Sequence, residues 1–396
     1  MGLSKVVVNV GTSGLGRQAA NNDKISGFLT FNATLPSGFS SSNRVQKVNS
    51  LAEAVALGVT NTANFLVEYY HISEFFRMNP EGSLWIGWFA VPGTYTFAEI
   101  ATMQVTALGE IRQMGVFASG RTWNSADVTT IQAIIDGMDD GYKQFSVLFA
   151  PDFSGITPVT GWAGVTDLRT LNARKVTPVI SESGSGQGLV LSTAKAYSIT
   201  SLGNALGCVS KAGVEESIGN PNRFPLSDGI EMETLALANG DLLSAISSGT
   251  LGSLVDKGYL IARKYVPDIT GSYYERCGTA VPLTNDFAFL ELNRATDKFI
   301  RGVRTSLTPF LQGTIAVNAD GTLSNDSIGF YKDKAQRVID DMVANGELSA
   351  GAAFINPTQN VLSTSKLIIS AQLIPIGIAS EIDINVDLVT QLTATT

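Results

Sequence analysis

The chain has 396 residues, 44% of them hydrophobic, with 27 Lys and Arg against 35 Asp and Glu, a formal charge of -8 and one histidine. That length supports two or three packed cores of ordinary size. The acidic balance leaves no basic field to condense on phosphates, which argues against a nucleic-acid partner or an anionic membrane surface.

No apolar run approaches the roughly 20 residues that a membrane-spanning helix needs, and no charged segment followed by a long apolar one succeeds Met1. No membrane insertion is expected, and the chain is expected to stay in the compartment where it is made. Cys208 and Cys277 are far apart and form no CxxC pair, so they read as buried free thiols. With His71 as the lone histidine, the commonest general base and zinc ligand is nearly missing, which weighs against a hydrolase. No cofactor and no metal are expected.

In chain order, Lys5 to Val10 is a short β-branched run ended by Gly11 and reads as a strand; a second strand fits Lys24 to Phe31. Ser50 and Glu53 have capping-box spacing before a short helix that Gly58 stops. From Asn64 to Met78 the residues Phe65, Tyr69, Ile72 and Phe76 recur at three- and four-residue spacing, an amphipathic helix ended by Pro80.

An alternation follows: strand Leu84 to Val91, helix Phe97 to Leu108, strand Met114 to Ala118, helix Ser125 to Met138, strand Phe145 to Ala150 and a last apolar stretch Val176 to Ile180. Strands separated by helices of this length imply right-handed crossovers and a largely parallel sheet covered on both faces. Residues 181–250 are rich in Gly, Ser and Ala and read as loops with one helix near Leu189 to Leu206. Leu254 to Tyr265 reads as a strand and Pro267 to Pro282 as a loop. A helix ending near Leu307, a helix Tyr331 to Asn345 and a strand Lys366 to Leu373 come next. Glu381 to Leu388 alternates strictly, so Ile382, Ile384, Val386 and Leu388 share one face of a final strand.

Motifs that carry chemistry are weak. Val8 to Gly16 runs a strand into glycines, but the order G-x-x-G-x-G reverses the dinucleotide fingerprint, and Arg17 to Lys24 lacks the apolar stripe that would dock a phosphate-binding helix. A nucleotide-dependent oxidoreductase would need that segment as its cradle. Ser181 to Gly186 has no histidine nearby in sequence and reads as a surface loop. Asp139-Asp140 and Glu215-Glu216 read as solvated pairs, and Asp320-Gly321 as a hairpin turn. His71 falls off its helix's apolar stripe and reads as a surface or interface residue. A terminal strand with few local partners can pair with a sheet edge of its own subunit or of a neighbour.

From Phe287 onward the order of features resembles the C-terminal region of contractile tail sheath proteins. The resemblance rests on Leu292-Asn-Arg-Ala-Thr-Asp-Lys-Phe-Ile300, a helix reaching Gly346-Glu-Leu348, the turn Asn356-Pro357 with Asn360, the strand Leu367-Ile-Ile369, and Leu373 to Ile382. Asp23 to Phe28 resembles the opening of some sheath subunits, while Thr308 to Gln312 lacks the Trp-containing segment many of them carry there.

The resemblance implies an α/β (α+β overall) fold with an N-terminal arm at 1–23, an inner domain drawn from 24–60 and 266–380, an outer α/β domain at 61–265 and a C-terminal arm at 381–396. It implies hexameric rings stacked helically around an inner tube protein, with a baseplate and a tail terminator as further partners. The subunit would sit in a virion tail or contractile particle, assembled in the host cytoplasm, and would be no enzyme. Val6, Val7, Val8 and Val10, with Ile382, Ile384, Val386 and Leu388, would make the intersubunit contacts. A static tail or surface polymer would use the same arms without contracting.

Overall fold

The computed structural model describes residues 22–139, 143–265 and 269–384, together with 386 and 388. The chain divides after Pro309 into two compact units.

The first unit is built on a six-stranded sheet of order β2-β3-β1-β4-β5-β6, with β1 Ile25–Phe31, β2 Val45–Val48, β3 Ser83–Phe89, β4 Gln113–Thr122, β5 Ser146–Asp152 and β6 Val176–Pro178. All pairings are parallel except that of the edge strand β2, which runs antiparallel to β3. Helices α1 Leu51–Ala56, α2 Leu66–Met78, α3 Ala98–Thr106 and α4 Ala126–Asp139 lie between these strands, as the alternating pattern predicts. The capping box forms in modified guise. Ser50 Oγ accepts from the Glu53 amide at 3.2 Å, while Glu53 reaches back one residue further, to the Asn49 amide at 2.8 Å; Gly58, at φ +88°, turns the chain out of the helix.

Each central strand alternates between two cores. Phe28, Leu84, Ile86, Phe117 and Leu148 face a core completed by α2 and α6 (Leu202–Lys211). Leu29, Phe31, Val116, Val147 and Phe149 face one completed by α3 and α4 through Ile100, Met103, Val128, Ile131 and Ile135. Both faces being covered, the strands are near-continuously apolar. Residues 24–60, expected apart from the outer α/β domain, here contribute β1 and β2 to this sheet.

Two stretches differ from the sequence reading. Residues 181–250 hold more order than expected: β7 Ser181–Ser183 pairs antiparallel with β8 Leu235–Leu237, and two helices, α5 Gly186–Ala194 and α6, replace the single one. Their small residues serve close packing instead of flexibility. The expected strand Leu254 to Tyr265 is largely irregular: it opens in the last turn of α7 Ser248–Asp256, capped by Ser247, and only β9 Ala262–Arg263 is strand, paired with β10 Tyr273–Tyr274. Leu251, Leu254 and Val255 fit one helical face as well as a strand, an ambiguity that short apolar runs carry.

The closest helix approach is between α2 and α6. A Cβ on Gly203 would stand 2.0 Å from the His71 carbonyl oxygen, and one on Gly207 2.7 Å from that of Phe75. Glycines four apart thus let α6 lie against the backbone of α2. We expect Gly203→Ala to destabilise the first unit by about 3 kcal/mol, since backbone on the facing helix cannot yield as a side-chain tip can. Urea denaturation followed by far-UV circular dichroism measures this; an unchanged midpoint would refute the packing account.

The first unit ends in α8 Leu290–Leu307. The second holds α9 Asn325–Ala344, β11 Leu348–Phe354, α10 Val361–Thr364 and β12 Ser370–Pro375, with β11 and β12 antiparallel and α9 on β11.

Candidate assembly surfaces

In the second unit, Ser324 caps α9 by accepting from the Ser327 amide at 3.2 Å. Ala335, Ile339 and Met342 of the helix are buried, as are Leu348 and Ala353 of β11. Gln336 reaches from α9 to β11: its amide nitrogen donates to the Gly351 carbonyl at 3.3 Å and its oxygen accepts from the Ala353 amide at 2.9 Å. Part of the β11 backbone is therefore satisfied by a side chain.

β12 is different. Every residue in it is exposed except the half-buried Leu373, and Ile374 stands out as a large apolar side chain, as do Phe354 on β11 and Leu362 and Ile368 nearby. A two-stranded sheet is marginal by itself and accepts further strands readily.

Beyond it, Ile382, Ile384, Val386 and Leu388 are 78%, 80%, 78% and 100% exposed. The alternation that defines an apolar strand face is present, and the single chain does not bury that face. The expected N-terminal contacts Val6, Val7, Val8 and Val10, and the glycines Gly11 to Gly16, lie outside the described residues.

The Asp320-Gly321 turn forms as expected: Gly321 has φ +83°, the Asn318 amide donates to the Thr322 carbonyl at 2.8 Å, and Asp320 accepts from Thr322 Oγ1 at 2.6 Å. With Thr358, Asn360, Leu362 and Ser363 it lines an open cleft of about 460 Å³. The cleft presents one carboxylate and no second titratable group, so it lacks the partner an acid-base pair requires.

Other candidate chemistry is buried. His71 is fully buried among Phe28, Tyr70 and Phe117, neither ring nitrogen has a hydrogen-bond partner, and burial pushes it down to about 3, which corrects the surface reading. The reason is that α2 is covered both by α6 and by side chains of the sheet, Phe28 and Phe117 among them, so a residue off the main stripe is also buried. Cys208 and Cys277 are buried free thiols, pushed up to about 12 by burial. Among the described residues no group of His, Cys, Asp or Glu is placed to hold a metal ion, and no helix is long and apolar enough to cross a membrane.

The acidic pairs are not simply solvated. Asp139 grips the buried Lys175 Nζ at 2.9 and 3.0 Å, and Glu216 accepts from the Gly213 amide and pairs with Arg223 at 2.8 Å; Asp140 lies outside the described residues. Ser181 to Ser183, read as a surface loop, is a buried strand. Its Glu182 is 1% exposed, and burial lifts its carboxyl to about 8 against modest opposition from Ser192 and the Ile199 backbone.

The sequence reading also missed a charged network around α8. Arg294 donates to the Gly213 and Ala212 carbonyls at 2.7 and 3.2 Å, past the end of α6. Asp297 meets Lys175 Nζ at 3.0 Å, and Lys298 and Arg301 hold Asp23. Glu291 accepts from Arg276 at 2.6 Å. The signal was available: residues 291, 294, 298 and 301 recur at helical spacing.

Comparison with known proteins bears on these surfaces. A family model described as the C-terminal domain of DUF2586 matches residues 286–393. No curated protein matches the chain. Among solved structures, the chain is similar to a protein in the cryo-EM structure of the anti-feeding prophage (AFP) baseplate, 6-fold symmetrised, with TM-score 0.62, 12% identity and coverage of 98% of this chain and 99% of that one. It is similar to one in the AFP helical sheath in contracted state, with TM-score 0.64, 14% identity and coverage of 98% and 99%. A third is in the contracted PVC sheath complex of an extracellular contractile injection system, with TM-score 0.62, 11% identity and 98% coverage of each chain. The chain therefore has the fold found in contractile sheath assemblies, over its whole length.

Glu182 generates a pH prediction. Its folded-state affinity for a proton exceeds that of the unfolded chain between 4.5 and about 8, so its contribution to stability is complete below that window and lost as pH rises through it. Glu182→Gln should be more stable relative to wild type at about pH 9 than at about pH 5. Urea midpoints at the two pH values test this; an equal difference at both would contradict it.

Proposed function

We propose that this chain is a sheath subunit of a contractile, phage-type injection apparatus. It polymerises as stacked six-membered rings around an inner tube and shortens to drive that tube through a target envelope. The observation that carries the reading is the full-length match to chains from two contracted sheaths, AFP and PVC.

The chain ends supply the joints. Ile382, Ile384, Val386 and Leu388 are exposed and alternate as a strand face does, in a segment to which the single chain gives no strand among the described residues, and β12 is an exposed strand that pairs only with β11 among those residues. Pairing the C-terminal segment of one subunit with the small sheet of the next satisfies both, with main-chain hydrogen bonds giving affinity and alternate side chains giving register. Val6, Val7, Val8 and Val10 join the same kind of sheet from the N-terminal arm. Such contacts are heterologous and do not close, so they generate a helical sleeve. Contraction then needs no hydrolysis: rigid units repack while the arms hold neighbours together, and the free energy released by each subunit adds along the sleeve. The baseplate nucleates the sleeve and a terminator ends it.

Negative-stain electron microscopy of the purified chain at rising concentration tests the proposal. Hollow tubes with six-fold cross-sections are expected. Small particles alone, with a melting temperature raised by nicotinamide cofactors, would point instead to an enzyme. Deleting residues 1–12, or separately 381–396, should leave the melting temperature within about 2 °C of wild type, because the buried residues described all lie between Ser26 and Ile355. The same deletions should abolish long tubes. Tubes of normal length from both truncated chains would refute the arm contacts.

A further inference from the structure

At the start of the described residues, several polar contacts hold the chain ahead of β1. Asn22–Lys24 form a turn of 3-10 helix just ahead of β1. The Asp23 carboxylate lies 2.8 Å from Lys298 Nζ and 2.7 Å from Arg301 Nη2, two side chains one turn apart on α8. The Asp23 carbonyl accepts from Gln113 Nε2 at 3.2 Å, and the Lys24 carbonyl accepts from Ser210 Oγ at 2.7 Å. Burial would raise the Asp23 carboxyl, but Lys298, Arg301 and Arg294 outweigh it and hold it below its ordinary value.

The surroundings make that carboxylate hard to replace. Asp23 lines a cavity of about 10 Å³ with Arg112, Arg294, Arg301, Asp297 and Val214, so two carboxylates face three guanidinium groups. Removing one carboxylate leaves the cations to repel each other in a poorly solvated place.

From Arg301 only six residues of helix, about 9 Å at the α-helical rise, reach Leu307, after which the chain enters the second unit. The matched family segment begins at 286 and so contains α8 together with the second unit. The route from Asp23 through two ion pairs into α8 is thus far shorter than the covalent path through the sheet.

We propose that Asp23, Lys298 and Arg301 form a tension latch: pull arriving from residues ahead of Asn22 passes into α8 and on to the C-terminal unit, bypassing the α/β body. β1 backs it up, because a lengthwise pull on a central strand loads its parallel ladders to β3 and β4 together. The inference rests on the reading of residues 1–21 as an exchange arm, since only then does tension arise there.

Constant-force unfolding of the full chain tests the latch without any sleeve. One handle is placed at the N-terminus and the other on Thr308→Cys, at an exposed position; thiol chemistry on the folded chain spares the buried Cys208 and Cys277. Asp23→Asn should shorten the lifetime under load by about tenfold or more, and Asp23→Glu, which keeps the charge, should recover most of it. A control geometry pulls between Val105→Cys and Leu189→Cys, two exposed positions of which neither is on α8 or next to Asp23; there Asp23→Asn should change the lifetime by less than about threefold. No shortening in the first geometry, or equal shortening in both, overturns the latch. Failure of the arm reading would show elsewhere, as normal tubes from the chain lacking residues 1–12.

Discussion

The structure depends on one helix face that breaks the ordinary rule of burial. On α8, Glu291, Arg294 and Asp297 are buried and Lys298 and Arg301 half-buried, so the stripe facing inward is charged. Charges leave water at a cost of several kcal/mol each unless partners replace the lost solvation. Here they do: Arg276 meets Glu291, the Ala212 and Gly213 carbonyls meet Arg294, Lys175 meets Asp297, and Asp23 meets Lys298 and Arg301. Those partners come from the segment just after β10, the residues just past α6, the entry to β6 and the turn ahead of β1. Each pairing is available in one arrangement only, so α8 fixes the relative positions of elements distant in sequence. A greasy face would allow sliding; this one specifies a register.

The sheet shows why such a fastening is useful. β1 is early in the sequence yet central in space, bonded to β3 on one side and β4 on the other. Alternate residues feed both cores, Phe28 on one and Leu29 on the other. The segment ahead of Asn22 is thus continuous with the strand least able to leave. An exchange segment grafted on an edge strand such as β2 would peel its host away under tension. Grafted on the central strand, as the proposal has it, such a segment would load two ladders and the ion pairs to α8.

Local pattern made most of this fold legible. The parallel alternation from β1 to β5, the helix α2 with its stop before Pro80, and the long helices α8 and α9 follow from periodicity and punctuation that tertiary contacts reinforce. Residues 181–256 were opaque for a physical reason. Gly203 and Gly207 look like loop formers, yet they are small because α6 lies against the backbone of α2, and nothing in a single sequence distinguishes those two uses of glycine. His71 misled similarly, since a helix covered on two sides has no polar face to reveal by spacing. Of the assembly surfaces, the alternation of Ile382 to Leu388 was visible at once, and the structure adds that this face is uncovered in one chain. Asp23 carried no local signal, because its importance lies in residues 275 and 278 positions away.

In the proposed arm exchange, the exposed C-terminal face would set the energetic scale of assembly. Burying a large aliphatic side chain contributes about 1.5 to 3 kcal/mol, so covering Ile382, Ile384, Val386 and Leu388 together is comparable to the whole stability of a typical domain. In that exchange, a joint of that strength, made by a strand and not by a rigid face, would hold two subunits together without dictating the angle between their bodies. The weaker contacts between subunits would then exchange as a set while the strands stayed paired. A subunit whose bodies bound each other as tightly as its ends would be locked in its first arrangement. On that proposal, an apolar contact at the end of the chain and a register-specific polar one at α8 would separate the part that must persist from the part that must move.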